Sequence, residues 1–378
     1  MESPVIENGF VIVQGSIITE LGTMDQYRSM EEDAETYDVK GADVYPGFVD
    51  AHCHLGMWED GMGFEGDDGN EATDPSTPHL RAIDAINPRD HCFEEAYQAG
   101  ITTVVTGPGS ANPLGGQLVA IKTWGGRVER IIVKEPLAFK FALGENPKGT
   151  YHGKNQTPET RMATAAIIRE QLYKAKKYLE DQENAQQDEE LDEPDYDIKC
   201  EALLPLLRRE VKAHFHAHRA DDIFTAIRIA KEFGLDYVLI HCTEGHLIAE
   251  DIKEEGASAV VGPVICERSK PELKNLTPKT AGILHRHGVE FAICTDHPVI
   301  PIQYLPLCAG IAVRDGLPYE EALRAITINP ARICGIDNRV GSIMPGKDAD
   351  MLVFDADPLS VYSRPNLVVV GGKRVNLY

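Results

Sequence analysis

Short apolar runs alternate with longer amphipathic stretches through the middle of the chain. Eight apolar runs predict strands, at 47–54, 101–106, 117–122, 136–143, 211–217, 237–242, 258–263 and 289–295. Apolar positions at helical spacing predict helices at 90–99, 158–180, 220–233, 246–255, 278–287 and 318–328. Strands that alternate with helices indicate parallel βαβ units, and eight strands is the number of a TIM-like (β/α)8 barrel. The third strand has a second interpretation, in which 117–122 pairs with a neighbouring strand at 128–133.

Both ends of the chain have strand patterns instead. Apolar runs broken by glycine predict a hairpin at 9–22 and further strands at 350–355 and 367–375. Two strand-rich ends around a long α/β middle predict a small β-sandwich domain formed by both chain ends. The predicted domain bounds are 1–46 for the first part of the sandwich, 47–343 for the barrel and 344–378 for the second part.

Two segments interrupt the alternation of strands and helices. Residues 56–80, rich in glycine and acidic side chains, are too long for a plain connection after the first strand. At the carboxyl end of that strand, they could form one wall of a site. Residues 180–197 are an acidic low-complexity run, which is typical of a solvated helix end or a mobile insertion.

The composition restricts the partners and the compartment. The chain has 378 residues and a formal net charge of −23, and it lacks the clustered Lys and Arg that nucleic-acid binding requires. It shows no secretion signal, and no apolar stretch approaches the ~18 residues of a membrane helix. Eight cysteines without a CxxC pair are typical of reduced thiols. We expect a soluble cytoplasmic protein that acts on a small molecule, without membrane partners, and the sequence leaves homo-oligomers open.

The segment Pro46-Gly-Phe-Val-Asp-Ala-His-Cys-His54 carries the most specific chemical pattern. Residues two apart in a strand point the same way, so His52 and His54 should both face the barrel interior. Two neutral imidazoles at this spacing can hold one divalent metal. The alternative is a pair of ordinary polar residues at a strand end.

Three later strands end on the same residue types. Their polar ends are His214, His216 and His218 on one face of the fifth strand, His241 on the sixth strand and Asp296 on the eighth. A single histidine at the end of an apolar strand is usually a core residue. Four strands that end alike, at the rim where barrel active sites form, indicate a metal site instead.

Together these motifs resemble the amidohydrolase superfamily. The resemblance rests on the His-x-His after Pro-Gly-Phe-Val-Asp, on the later histidines and aspartate, and on the closing segment Gly341-Ser-Ile-Met-Pro-Gly-Lys-Asp-Ala-Asp350. Phe215-His-Ala-His218 and Thr295-Asp-His-Pro298 look most like the imidazolonepropionase-like and prolidase-like branch. The N-terminal β segment is shorter than usual for the family, which leaves open whether the first sandwich strand is present.

The resemblance implies a metal site and a mechanism. Its implied ligands are His52 and His54 from the first strand, His216 from the fifth, His241 from the sixth and Asp296 from the eighth. The site would hold one or two divalent ions, with zinc as the first choice and iron, manganese or nickel as alternatives. Asp296 is also the implied catalytic base, since a metal lowers the pKa of its bound water and a neighbouring carboxylate can take the proton.

Two-metal members of the superfamily add a bridging ligand, often a carbamylated lysine, from the third or fourth strand. Lys140 is the candidate, because a lysine in the apolar segment 137–144 is costly unless it is neutralised or paired. Glu135 is the weaker alternative. The structural alternative is a lysine that leaves the strand toward a carboxylate.

Further residues are candidates for catalysis and substrate contact. His218, two residues beyond His216, could contact the substrate carbonyl, which makes it the second catalytic candidate besides Asp296. The candidate substrate contacts are Arg161, Arg219, Glu244 and His297. Each of these four could equally brace a loop.

These features predict a metal-dependent amidohydrolase that cleaves a carbon–nitrogen bond through a metal-activated water. Its substrate would be a small cyclic amide or a peptide-like molecule. A metal-dependent deaminase is the nearest alternative, but such deaminases typically carry a Glu shortly after the fifth-strand histidine, where this chain reads His216-Ala-His-Arg219. A catalytically inactive scaffold would be expected to lose metal ligands, and all five are present.

Overall fold

The N-terminal segment forms a β-hairpin in the computed structural model, which describes residues 1–28, 34–375 and 377. Strands β1 (Gly9–Gln14) and β2 (Ile17–Thr23) pair antiparallel, as the glycine-broken apolar runs predict. A short strand, β3 (Asp43–Pro46), then leads into the barrel. Of the two predicted sandwich segments, positions 29–33, 376 and 378 lie outside the described residues.

Eight strands follow one another in a single sheet. They are β4 (Phe48–Cys53), β5 (Ile101–Thr106), β6 (Leu114–Lys122), β7 (Ile132–Ala142), β8 (Lys212–Ala217), β9 (Tyr237–His241), β10 (Ser258–Val261) and β11 (Phe291–Ile293). Each overlaps one of the eight predicted strands. The first and last strands lie side by side, so the sheet forms a nearly closed barrel, and the predicted barrel is confirmed.

One barrel strand runs against its neighbours. β6 is antiparallel to both β5 and β7, whereas the other neighbouring pairs are parallel. The expectation of parallel units throughout is therefore wrong at this strand. A parallel crossover needs about a dozen residues or more, but only the segment 123–131 connects β6 to β7. The chain therefore turns back as a hairpin, with a return strand later than the 128–133 that the second interpretation proposed.

Helices cover the outside of the barrel strands. They are α1 (His91–Gln98), α2 (Val128–Ile131), α3 (Glu145–His152), α4 (Arg161–Gln187), α5 (Ile198–Leu207), α6 (Ala220–Phe233), α7 (Ala249–Glu254), α8 (Thr280–Arg286), α9 (Leu305–Arg314), α10 (Tyr319–Arg324) and α11 (Ile328–Ile333). Short 3-10 helices lie at Gly63–Gly66, Ala82–Asp84, Gly245–Leu247, Pro271–Leu273 and Ile302–Tyr304. The six predicted helices all have counterparts, but the apolar spacing does not predict α2, α3, α5, α9 or α11.

Helix α6 illustrates how the sequence sets such an element. Ile223, Ala226, Ile227 and Ala230 lie on one face at helical spacing, and all four are buried. The helix ends at Gly234, whose φ of 66° is the left-handed conformation that glycine adopts without steric cost. This helix connects β8 to β9, the two strands that carry the histidines of the fifth and sixth barrel positions.

The C-terminal segment forms a four-stranded sheet together with β3. Strands β12 (Met351–Phe354), β13 (Leu367–Val370) and β14 (Lys373–Arg374) add to β3 in an antiparallel sheet of order β14-β13-β12-β3. The pairing of β3 with β12 joins the two ends of the chain. The predicted small sandwich domain from both ends is thus confirmed.

Two further properties follow from the described residues. All eight cysteines are free, and seven of them are buried. None of the helices in the described part of the chain combines the length and the hydropathy that crossing a bilayer demands.

Candidate metal centre

The predicted metal ligands meet at the carboxyl ends of the barrel strands. His52 lies near the end of β4 and His54 directly follows that strand. His216 lies near the end of β8, His241 ends β9 and Asp296 follows β11. All four histidines are buried. Because barrel strands converge at this rim, five residues that are far apart in the sequence come together.

The polar atoms of the cluster lie within ligand distance of one another. Asp296 Oδ1 lies 3.4 Å from His52 Nε2 and 3.3 Å from His54 Nε2. Ligand atoms of His52, His241 and Asp296 lie within 4.8 Å of one another. Two ligand atoms of one tetrahedral zinc ion, each about 2.1 Å from the metal, are separated by about 3.4 Å. These spacings therefore suit a shared ion.

Backbone acceptors orient two of the imidazoles toward the cluster. Nδ1 of His54 lies 2.7 Å from the carbonyl oxygen of Gly107, and Nδ1 of His241 lies 2.8 Å from that of Gly262. A carbonyl oxygen can only accept, so both Nδ1 atoms carry a proton and the Nε2 atom of each neutral ring has a free lone pair. With the His54 ring in its neutral form, Nε2 and the Asp296 carboxylate are two acceptors 3.3 Å apart. A cation bound by both would convert this repulsion into attraction, so the residues fit a divalent metal.

A second histidine cluster adjoins the first. Nitrogen atoms of His216, His218 and His241 also lie within 4.8 Å of one another. His216 Nδ1 lies 3.0 Å from Ser110 Oγ, and His218 Nδ1 lies 2.7 Å from Thr243 Oγ1. His241 belongs to both clusters, so the two form one continuous site. Its side chains supply enough ligand atoms for one or two metal ions.

Burial determines the charge state of these groups. It lowers the pKa of four imidazoles, so that they are neutral at neutral pH, the state in which histidine binds a metal. They are His52, His216 and His218, all shifted well below the usual value, and His241, shifted to about 4. Burial alone would raise the pKa of Asp296, but the neighbouring histidines, His241 first, outweigh it and hold that pKa well below its usual range.

Lys140 lies on barrel strand β7, beside the histidine cluster. Its side chain is fully buried, and its Nζ is 3.1 Å from His52 Nε2. Burial lowers the pKa of this amine to about 8. Glu135 begins the same strand outside the cluster, partly exposed and 3.9 Å from Arg81. Of the two predicted bridging residues, only Lys140 therefore lies beside the histidines.

The two arginines predicted to contact substrate each have a carboxylate partner of their own. Arg161 Nε donates to Asp222 at 2.9 and 3.1 Å, and its side chain is one-third exposed. Arg219 donates to Asp221 at 2.8 and 2.9 Å and is more exposed. Among the described residues, neither guanidinium donates a hydrogen bond to a histidine of the cluster.

Glu244 and His297 connect loops around the site. Glu244 accepts from the backbone N–H of Ala220 at 2.8 Å and from the side-chain amide of Asn275 at 2.7 Å. His297 Nδ1 accepts from the backbone N–H of Ile302 at 3.2 Å, and its Nε2 is buried. These contacts are of the bracing type that the sequence left open as the alternative.

Sequence reasoning missed the residues that reach the site from connecting loops. Trp58 packs edge-on against His54 at 4.7 Å between ring centres, within the segment expected to form a wall. Asn146 Nδ2 lies 3.4 Å from His216 Nε2. Lys270 donates to the side-chain oxygen of Asn146 and forms an ion pair with the buried Glu272. These residues follow no strand-end pattern, so the sequence carries no spacing signal for them.

Comparison with known proteins identifies relatives. The profile of the amidohydrolase family matches residues 150–375. Amidohydrolase tasK of Hapsidospora irregularis is 30% identical over 390 residues, covering 96% of this chain and 39% of that protein. The imidazolonepropionase of Thermoplasma acidophilum is 30% identical over 152 residues, covering 39% of this chain and 35% of that protein. The chain thus spans less than two-fifths of the length of either relative in the matched regions.

Among solved structures, an amidohydrolase from Thermotoga maritima MSB8 is similar along nearly the whole chain. Its sequence identity is 44%, its TM-score is 0.92, and the match covers 97% of this chain and 94% of the other. The overall fold, barrel and sandwich together, therefore has a counterpart in a relative with clear sequence similarity.

Proposed function

Because the chain belongs to the amidohydrolase family, we propose that it hydrolyses the C–N bond of a small cyclic amide or a peptide-like substrate. This proposal rests on the 3.3 Å contact between His54 Nε2 and Asp296 Oδ1. The other nitrogen of the His54 ring, Nδ1, donates to the carbonyl oxygen of Gly107. With the His54 ring neutral, these two groups are facing acceptors, an arrangement that a bound cation would stabilise. A cation site beside a buried carboxylate is suited to hydrolysis by an activated water.

The residues that would hold the ion are those of the two clusters. They are His52, His54, His216, His241 and Asp296, with Lys140 as a bridging ligand if two ions bind. A divalent ion would supply Lewis acidity there, acidifying a water molecule and polarising the substrate carbonyl. Nitrogen and carboxylate ligands suit zinc, and they also accept iron, manganese or nickel.

Asp296 is the proposed catalytic base. Its low pKa keeps the carboxylate ionised at neutral pH, so it can accept a proton from the attacking water. The same carboxylic acid can then return the proton to the leaving nitrogen. His218 is the proposed contact of the substrate carbonyl, which is supported by its burial and its ring contacts with His216 and His241.

Contacts to the rest of the substrate are proposed for the mouth of the site. Arg161, Arg219, Glu244 and His297 stay candidates, although each already has a partner within the protein. A substrate group would have to share or displace these partners, which makes the four residues weaker anchors than their charge alone indicates.

Metal analysis followed by an activity screen tests the proposed function. The protein loaded with zinc, and separately with manganese, should retain at least one ion per chain after dialysis. It should then hydrolyse members of a panel of cyclic amides, N-acyl amino acids and dipeptides. Loss of all metal on dialysis would contradict the hydrolase and favour an inactive scaffold, while release of ammonia from amino-substituted heterocycles would favour a deaminase.

A further inference from the structure

A lysine from a connecting loop reaches the histidine cluster. Lys270 lies in the segment 262–279, which connects β10 to α8 at the carboxyl rim of the barrel. Its ammonium donates to Asn146 Oδ1 at 2.7 Å and lies 2.7 Å from Glu272 Oε1. The loop thus positions one positive charge between two polar partners.

Both partners of this lysine touch a histidine of the site. The side-chain nitrogen of Asn146 lies 3.4 Å from His216 Nε2, and Glu272 Oε1 lies 3.7 Å from His218 Nε2. The ammonium of Lys270 is therefore one side chain removed from two imidazoles. Its charge is also one of the causes that lower the pKa of both histidines, after burial and the neighbouring rings.

The ammonium is held in place and keeps a donor to spare. Glu272 is 1% exposed, and its other oxygen accepts from the backbone N–H of Glu145 at 3.0 Å, which fixes the carboxylate. The Lys270 side chain is 24% exposed. An ammonium has three N–H donors. One of them is donated to Asn146, and Glu272 holds the ammonium as an ion pair. The ammonium therefore keeps N–H donors for a ligand at the mouth of the site.

The other cations near the site are less suited to this task. Arg161 and Arg219 are each paired with a carboxylate, as Lys270 is, but their partners are the aspartates at the start of α6. Glu272, the partner of Lys270, instead lies 3.7 Å from His218. Lys140 is fully buried beside the histidines. Lys270 alone among these four combines partial exposure with contacts that lead directly to the imidazoles.

We propose that Lys270, held by Asn146 and Glu272, binds a carboxylate of the substrate. The substrate class is then an amide with an acidic group a few bonds from the scissile C–N bond, such as an N-acyl amino acid or a dipeptide with a free carboxyl end. The proposal rests on the proposed function, because it takes the histidine cluster as the place of reaction. A preorganised ammonium favours binding, since no side-chain freedom is lost when the ligand arrives.

Calorimetric titration with a matched pair of probes tests this assignment. Glutarate and its monoamide, glutaramate, are titrated separately into the zinc-loaded protein. One carboxylate of either probe can approach the histidine cluster, but only glutarate offers a second carboxylate to Lys270. The wild-type protein should bind glutarate about tenfold or more tightly than glutaramate, the contribution of one charge-assisted hydrogen bond.

Substitutions identify the residue responsible for that preference. Lys270→Met should abolish the preference, Lys270→Arg should retain part of it, and Lys274→Met, an exposed lysine on the same loop, should leave it unchanged. Zinc content is measured for each variant. Equal binding of the two probes by the wild-type protein, binding of neither probe, or a preference that survives in Lys270→Met would each overturn the assignment.

The same measurements separate this proposal from the proposed function. If the wild-type protein holds zinc and hydrolyses neutral amides but does not prefer glutarate, the proposed hydrolase function is supported. The carboxylate subsite at Lys270 is then excluded. A protein that retains neither zinc nor manganese would contradict the proposed hydrolase function itself. If Lys270 only braces Glu272, Lys270→Met lowers the melting temperature and leaves the ratio of the two affinities as it is in the wild type.

Discussion

Asp296 occupies the position in the site where a ligand and a base can be the same residue. Its carboxylate lies within 3.4 Å of two imidazoles, and its backbone adopts a φ of 56°, in the left-handed region. A non-glycine residue in that region is held there by its surroundings at a cost of about 1 kcal/mol or more. The surrounding structure thus holds the backbone of Asp296 in a strained conformation that directs its carboxylate toward the histidines.

We predict that Asp296→Asn abolishes turnover and retains metal. The amide keeps the shape and one oxygen ligand but cannot accept a proton, so kcat should fall about 10²-fold or more. The histidines remain as ligands, so the metal content should stay well above zero. Both quantities are measured on the same sample, with wild-type protein as control. Near-normal turnover would show that the base is another residue, with His218 or Glu244 examined next.

We also predict that Lys140→Ala reduces the metal content from two ions to one or none. The buried amine lies 3.1 Å from His52, where a carbamate formed on it would add two oxygen ligands. Metal is counted by mass spectrometry after loading in bicarbonate buffer. Lys134→Ala, in the same strand and outside the cluster, serves as control. A wild-type protein that holds a single ion, and holds it equally well in the variant, would exclude the bridging role.

At the residue scale, the sequence predicts which strand-end side chains meet at the barrel rim, but not which side chains reach that rim from the loops. Strand periodicity aims His52 and His54 inward, and the barrel rim gathers them with residues such as His216, so a one-dimensional pattern is enough. Lys270 and Asn146 reach the site because a loop folds back over the rim. No local pattern specifies the path of such a loop, since it depends on packing against neighbouring loops.

At the scale of elements, the seam between the first and last barrel strands has its own connections. Asp50 in β4 accepts from the backbone N–H of Thr295 at 3.0 Å and from its hydroxyl at 2.6 Å. Backbone bonds from Asp296 to His52 and from His54 to His297 lie alongside. The same side chains that close the barrel therefore position both strand ends that carry the metal ligands.

A double-mutant cycle should show that this seam acts as a unit. Asp50→Asn and Thr295→Val should each lower the free energy of unfolding by about 1–3 kcal/mol. The first replaces one of two accepting oxygens by an N–H donor, and the second removes the hydroxyl that donates to Asp50. The loss in the double variant should be smaller than the sum of the two, since both remove the same contact. Unfolding is followed in urea on metal-free protein.

The control for this cycle is a threonine with a similar bond elsewhere in the barrel. Thr106→Val removes a buried hydroxyl that donates to the carbonyl of Leu55 at 2.9 Å. Combined with Asp50→Asn, its effect should add to that of the first substitution. Additive losses for Asp50→Asn with Thr295→Val would mean that the seam contact contributes no coupling.

Element types are predictable from periodicity, but strand direction is not. The alternation of apolar and polar positions is the same in a strand that runs up and one that runs down, so the reversal of β6 leaves no trace in the pattern. The length of the connection does indicate the direction, because the segment 123–131 is too short for a parallel crossover. Helices α3 and α5 escape prediction for another reason, since α3 has little apolar periodicity and α5 is apolar on several faces and contains Pro205.

At the scale of the whole molecule, a buried charge cluster joins the barrel to the sandwich. Lys122 at the end of β6 lies 2.9 Å from Asp348 and is also paired with Asp350, which precedes β12. Arg339 contacts the same Asp348 at 2.8 Å, and Asp350 accepts from the backbone N–H of Gly371 at 2.8 Å. The charged residues of the closing segment thus hold the two domains together, a role that the sequence motif alone does not reveal.

This cluster makes the joint between the domains sensitive to the loss of one charge. Lys122→Met should lower the free energy of unfolding by about 3 kcal/mol or more, because two buried carboxylates lose their shared cation. Adding Asp348→Asn and Asp350→Asn should recover part of the loss, since the uncompensated charges are then removed. Lys373→Met, on the exposed strand β14, should change stability by no more than about 0.5 kcal/mol. A Lys122→Met protein as stable as Lys373→Met would show that Arg339 alone neutralises Asp348, and that backbone pairing between β3 and β12 is sufficient to hold the sandwich on the barrel.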